Sequence, residues 1–154
     1  MKDESYYILV NSDGFNDFDK RVDANLIADF RIKNKAYPMN KGTFFKDRIK
    51  NNDNFIFYIA GQSKHKHSIY AYGKIGKTLP SGSYDEEDIH IGNPISKTVQ
   101  LKSCQKFKNI RLLKEIKEDL AFIKDKRFWG RYLQGGVTQL SQKDFEIILA
   151  HAQN

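Results

Sequence analysis

The run Phe55-Ile56-Phe57-Tyr58-Ile59-Ala60 leaves the backbone little choice. It is apolar throughout and rich in aromatic and β-branched side chains, with the turn formers Asn51-Asn52-Asp53-Asn54 before it and Gly61 after it. This combination predicts a strand buried on both faces, the centre of a sheet. The segment Ser68 to Ile75 alternates instead. Ile69, Ala71, Gly73 and Ile75 fall on one face, and Tyr70, Tyr72 and Lys74 on the other. The short polar connection Gln62 to His67 predicts that the two strands pair antiparallel.

Around this hairpin the chain reads as further strands mixed with short helices. Tyr6 to Val10 is β-rich and stops at the turn cluster Asn11-Ser12-Asp13-Gly14. A helix is expected from Asn16 or Asp17 to about Ile27, and another over Phe44 to Ile49 with Thr43 as its N-cap. Lys77 to Pro94, with its Pro, Gly and Ser and the acidic Asp85-Glu86-Glu87-Asp88, reads as a surface loop. A strand over Ile95 to Leu101 follows, then a helix over Ile110 to Leu120, where Ile110, Leu113, Ile116 and Leu120 share a face. Val137 to Leu140 is a short strand, and Ser141-Gln142-Lys143-Asp144 opens a terminal helix carrying Phe145, Ile148 and Leu149. The strands mostly follow one another without regular β-α-β alternation. An α+β fold is therefore expected, an antiparallel or mixed barrel with flanking short helices forming one domain over residues 1–154.

Charge narrows the function. Of 26 Lys/Arg and 19 Asp/Glu, 11 cations and four carboxylates lie between Lys97 and Arg131, so that third carries the whole excess of +7. This is the footprint a polyanion requires, although a solubilising surface has the same composition. The single cysteine, Cys104, excludes an intrachain disulfide and a cysteine-rich metal site. Met1-Lys2-Asp3-Glu4 does not open a secretory signal, and no apolar run is long enough to span a bilayer. A cytoplasmic protein without membrane contact is expected.

Catalytic signals are weak. His65-Lys66-His67 has no metal-ligand spacing beyond its own pair, and His90 and His151 are isolated. Asp85 to Asp88 reads as a charged loop. Cys104, between Lys102 and Lys106, could have a lowered pKa but lacks a histidine partner. Gly76-Lys77-Thr78 mimics the end of a phosphate loop. Ala71 stands where that loop needs glycine, however, and Leu79-Pro80 cannot open the helix. No enzyme activity and no cofactor are expected.

The stretch from Leu113 to Trp129, with Phe122-Ile123, Asp125-Lys126 and Trp129, resembles the EVE domains of the PUA-like superfamily, relatives of YTH domains. Gly135-Gly136-Val137 followed by Leu140-Ser141-Gln142-Lys143-Asp144-Phe145 resembles the usual ending of that family. In the middle, Asp47-Arg48-Ile49-Lys50, Asp53 and Phe55 to Tyr58 fit, with Asn51-Asn52 replacing the family's Pro-Gly. Tyr37-Pro38 falls where many members carry Trp-Gly, and Asn11-Ser12 where they carry a small polar loop. The resemblance implies a PUA-like mixed β-barrel of five or six strands with a pocket for a flipped base. It further implies DNA or RNA as partner, recognition of a modified base, and in some members a restriction or other effector protein.

An extruded base needs flat apolar surfaces, a few edge donors or acceptors, and a basic rim for neighbouring phosphates. Trp129, between Phe128 and Tyr132, is the first candidate for the pocket, with Lys124, Lys126, Arg127 and Arg131 as its phosphate-binding rim. A tryptophan plugging the barrel has the same neighbours. Tyr37, Pro38, Met39 and Asn40 form the second pocket segment, Asn40 being either a base-edge reader or a turn residue. Asn11 and Ser12 either join the pocket or cap the turn. The rival functions are a hydrolase or nuclease with an unrecognised site, and a protein-interaction adaptor that uses the basic face.

Overall fold

A computed structural model describes residues 4–86, 89 and 94–153. Its centre is the predicted hairpin: β5 (Asn54–Ile59) pairs antiparallel with β6 (Ser68–Thr78), with a register shift between Phe57 and Tyr58. On its other side β5 runs parallel to β1 (Tyr6–Asn11), Tyr7 opposite Phe55 and Leu9 opposite Phe57. With a neighbour on each edge and a layer on each face, every residue of β5 is buried, as its apolar composition requires.

The sheet has six strands. β7 (Ile95–Leu112) flanks β6, and β4 (Ala36–Asn40) lies outside β7. β8 (Val137–Leu140) lies outside β1. Between β1 and β4 stand a small hairpin, β2 (Gly14–Phe15) with β3 (Arg21–Val22), and helix α1 (Ala24–Asn34). The sheet is mixed, since β1 and β5 are parallel and the remaining pairs antiparallel. It curls into a half-barrel whose edge strands, β4 and β8, do not pair with each other. Pro38 is tolerated in β4 because an edge strand can dispense with one amide donor.

Alternation sends side chains into two apolar layers. Tyr7, Leu9, Phe55 and Phe57 pack inside the curl with Ala24 and Ala28 of α1 and Tyr37 and Met39 of β4. Ile8, Ile56, Tyr58 and Ile69 face the other way. They pack against Phe145, Ile148 and Ala152 of α3 (Gln142–Gln153) and against Leu113 and Ile116 of α2 (Leu113–Ile116). Each layer removes large apolar surfaces from water, at roughly 25 cal/mol per Å².

Three sequence expectations are corrected. Residues 16 to 20 form a turn, not a helix start: Asn16 Oδ1 accepts from the amides of Phe18 and Lys20, and Asp19 is left-handed at φ 57°. That side-chain competition diverts the backbone, and the helix begins only at Ala24. Residues 44 to 49 form turns, because Phe45 at φ 61° cannot continue a helix. The strand expected to end at Leu101 runs to Leu112, held by β6 on one side. It leaves only the short α2 and a 3₁₀ turn, Lys117–Asp119, of the helix expected over Ile110 to Leu120. Tertiary pairing here overrode helical periodicity. Gly76-Lys77-Thr78 lies within β6. No helix among the described residues is long and apolar enough to cross a membrane.

Candidate functional site

A cavity of about 410 Å³ occupies the seam where the half-barrel fails to close. Tyr37, Pro38, Met39 and Asn40 of β4 line one side; Val10 and Ser12, at the end of β1, and Gly135 and Gly136, before β8, line the other. The seam is bridged by a side chain instead of a ladder: Tyr37 Oη donates to Val10 O at 2.6 Å and lies 3.3 Å from Gly136 O. Burial pushes the Tyr37 phenol up to about 12, so it remains a donor at neutral pH.

Arg31, which the sequence reading did not single out, forms the floor. It is the fourth residue of the α1 stripe Ala24, Ile27, Ala28, Arg31, at spacings of three, four and seven. An arginine on an otherwise apolar helical stripe signals a buried partner, and Glu86 is that partner. Nε donates to Oε2 at 2.8 Å and Nη2 to Oε1 at 2.6 Å. Burial works against the Arg31 charge, and the Glu86 carboxylate more than offsets it, so the guanidinium stays charged. Nη1 donates to Asn11 Oδ1 at 2.9 Å, and the Arg31 Cζ stands 5.2 Å from the Tyr37 ring centroid. Tyr84 Oη donates to Glu86 Oε2 at 2.7 Å. Burial first, and that carboxylate second, raise the Tyr84 phenol.

The sequence candidates therefore separate. Tyr37, Pro38, Met39, Asn40 and Ser12 come together around the cavity. Asn11 is fully buried beneath it and orients Arg31. Tyr37 is only 3% exposed, so it supports the cavity from below and does not stand as an open wall. Asn40 Oδ1 accepts from the Gly42 amide and lies 3.3 Å from Thr43 Oγ1, which leaves the NH₂ end as the part not used in that turn.

Trp129 lies outside the lining of this cavity, apart from Tyr37–Asn40. It lies in the 3₁₀ segment Lys126–Leu133, partly buried on the outer apolar layer, with the His67 ring edge-on at 5.3 Å. The loop carrying it is pinned from beneath. Buried Asp144 accepts from the amides of Ala121 and Phe122, both at 2.9 Å, which accounts for the aspartate in the ending motif. Of the four rim cations, Lys126 donates to Leu120 O at 2.5 Å and so braces the loop. Arg127 stands 3.6 Å from Asp125 and 5.4 Å from the Phe128 ring centroid. Lys124 and Arg131 are exposed, Arg131 two residues before cavity-lining Leu133.

His67 Nδ1 lies 3.0 Å from Tyr58 Oη. Burial pushes the Cys104 thiol up to about 12, the reverse of what its lysine neighbours suggest. Among the described residues no three His, Cys, Asp or Glu side chains form a group that could hold a metal. Glu87, Asp88 and His90 lie outside the described residues.

The EVE domain model matches residues 34–151, and the chain belongs to the EVE domain family, with the PUA-like α+β fold. No curated protein matches it in sequence. Among solved structures it is similar to human THYN1 protein in complex with 5-methylcytosine containing DNA, at 16% identity and TM-score 0.62, covering 98% of this chain and 99% of that one. The DUF55 domain of human thymocyte nuclear protein 1 is similar at 15% identity and TM-score 0.60, covering 97% and 99%. Rpa0253 from Rhodopseudomonas palustris is similar at 10% identity and TM-score 0.56, covering 96% and 92%.

Proposed function

We propose that this chain is a binding module for nucleic acid that takes one extruded, modified base into the seam cavity. The observation that carries the reading is the make-up of that cavity. Ile95, 37% exposed, offers apolar surface above the buried Pro38, Met39 and Leu133, and Ser12, Asn40 and Gln134 offer polar edges. Its volume falls within the usual range for small-molecule sites. The floor has a specific bearing on the ligand. The Arg31 charge is already neutralised by Glu86, so the cavity suits a neutral planar group better than a phosphate. Phosphates then belong outside it, on exposed cations such as Lys124, Arg127 and Arg131.

The human relative of the same fold, in complex with 5-methylcytosine containing DNA, supports DNA as the polymer and a modified cytosine as the first base to test. Binding to DNA oligonucleotides with cytosine or 5-methylcytosine at one position is followed by fluorescence anisotropy. The parent should bind with a steep salt dependence and prefer one of the two. Ser12 is exposed at the cavity mouth, so Ser12→Trp should fill the cavity without unfolding the protein and abolish the preference. A variant that melts like the parent and still discriminates would overturn the reading.

A further inference from the structure

We propose that Phe44 is a second base contact beside the cavity, a stacking platform for the nucleotide adjacent to the extruded one. The inference rests on the cavity reading and extends it. Phe44 is 59% exposed, although its neighbour Phe45 turns inward to pack against Tyr7 at 6.2 Å. The left-handed backbone at Phe45 separates the two rings.

Phe44 is fixed at the cavity mouth. Its amide donates to Gly135 O at 2.9 Å, and both Gly135 and the preceding Thr43 line the cavity. The ring lies so close over Gly135 that a Cβ there would come within 2.4 Å of Cδ2. An apolar ring held against a cavity rim, with most of its surface in water, is placed to meet a ligand that enters the cavity.

Charge identifies that ligand. The segment from Lys41 to Lys50 carries Lys41, Lys46, Arg48 and Lys50 against the single carboxylate of Asp47, and Lys41 and Arg48 are exposed. Phe18, 81% exposed, sits between Asp17 and Asp19, and Phe15, 51% exposed, is two residues from both Asp13 and Asp17; a phosphate backbone would avoid both. Phe128, 57% exposed, has the Arg127 guanidinium over its ring and is not among the cavity-lining residues. Among these four rings, only Phe44 combines an exposed ring, exposed cations and contact with the cavity lining. Extruding a base strips its neighbour of one stacking partner. An aromatic ring at the rim replaces that partner through the π-face, which every base possesses.

The test uses DNA oligonucleotides with cytosine or 5-methylcytosine at the target position and 2-aminopurine next to it. Phe44→Ala should weaken binding by about 5- to 150-fold, equally for both targets, so that the cavity's preference survives. Phe44→Trp should restore affinity and Phe44→Leu should not. Quenching of 2-aminopurine on binding should be present with the parent and lost with Phe44→Ala, while thermal melting stays close to the parent's. Undiminished affinity in Phe44→Ala, or leucine performing as well as phenylalanine, overturns the proposal. The cavity reading fails on different evidence, namely undiminished discrimination by Ser12→Trp.

Discussion

The Arg31 guanidinium and the Glu86 carboxylate meet in a two-pronged ion pair with side chains only 3% and 2% exposed. The pair ties the segment between β6 and β7 to α1 under the floor of the cavity. Removing one partner from such a pair leaves a buried charge uncompensated, which costs about 3–5 kcal/mol. Glu86→Gln should lower stability on that scale in urea denaturation. Replacing both partners together, Arg31→Met with Glu86→Leu, should recover most of the loss. A single variant as stable as the parent would mean that water reaches the guanidinium.

Trp129→Ala separates a structural tryptophan from a ligand-binding one. The ring packs on the outer layer and against His67. Because it is only partly buried, its truncation should cost about 2–3 kcal/mol, below the 3–5 kcal/mol of a fully enclosed tryptophan. Discrimination between DNA targets should persist at temperatures where the variant is folded. Lost discrimination with unchanged stability would restore Trp129 to the binding site.

His67 should make stability depend on pH. Burial, with Lys66 and Lys114 nearby, holds its imidazole below the ordinary value. The unfolded chain therefore takes up a proton at about pH 6.5, where the folded protein does not. The contribution of the neutral ring is complete above that pH and is lost as pH falls below it towards the folded value. His67→Asn suits the left-handed backbone at φ 64° and should flatten this part of the curve. Denaturation midpoints measured on both sides of about pH 6.5 check it, and an unchanged slope would exclude His67 as the source.

Gly135 should tolerate no side chain. Its φ of 96° is open to glycine, and the Phe44 ring occupies the space a Cβ would need. Gly135→Ala should cost more than about 1 kcal/mol and displace Phe44, so binding should weaken beyond what melting alone explains. Parent-like stability and affinity together would show that the rim adapts freely.

Periodicity made much of the fold legible. The apolar run at Phe55 and the alternation after Ser68 specify a central pair because burial on two faces and on one face leave different patterns. Tyr37-Pro38-Met39-Asn40 and Ser12 were legible as cavity residues through the family resemblance. Arg31 was legible in principle from its place on an apolar helical stripe. The place of Trp129 outside the cavity was not legible, because aromatic and cationic neighbours in sequence surround a loop-bracing ring and a base-stacking ring alike. Lys126 likewise looked like a phosphate ligand, whereas it is spent on Leu120 O.

Residue patterning along the chain was enough for the β-rich order of elements, the central hairpin, the terminal strand and helix, and the family. Which residues line the cavity together followed from the folded chain alone. The cavity exists because β4 and β8 end as unpaired edges on opposite sides of a curled sheet, and Tyr37 bridges the gap to Val10. The fold also brings Glu86, 55 positions away from Arg31, under the floor to neutralise it. Local propensity acts over a few residues, but closure of a sheet and pairing of buried charges depend on contacts between distant segments, and those exist only once the chain has folded.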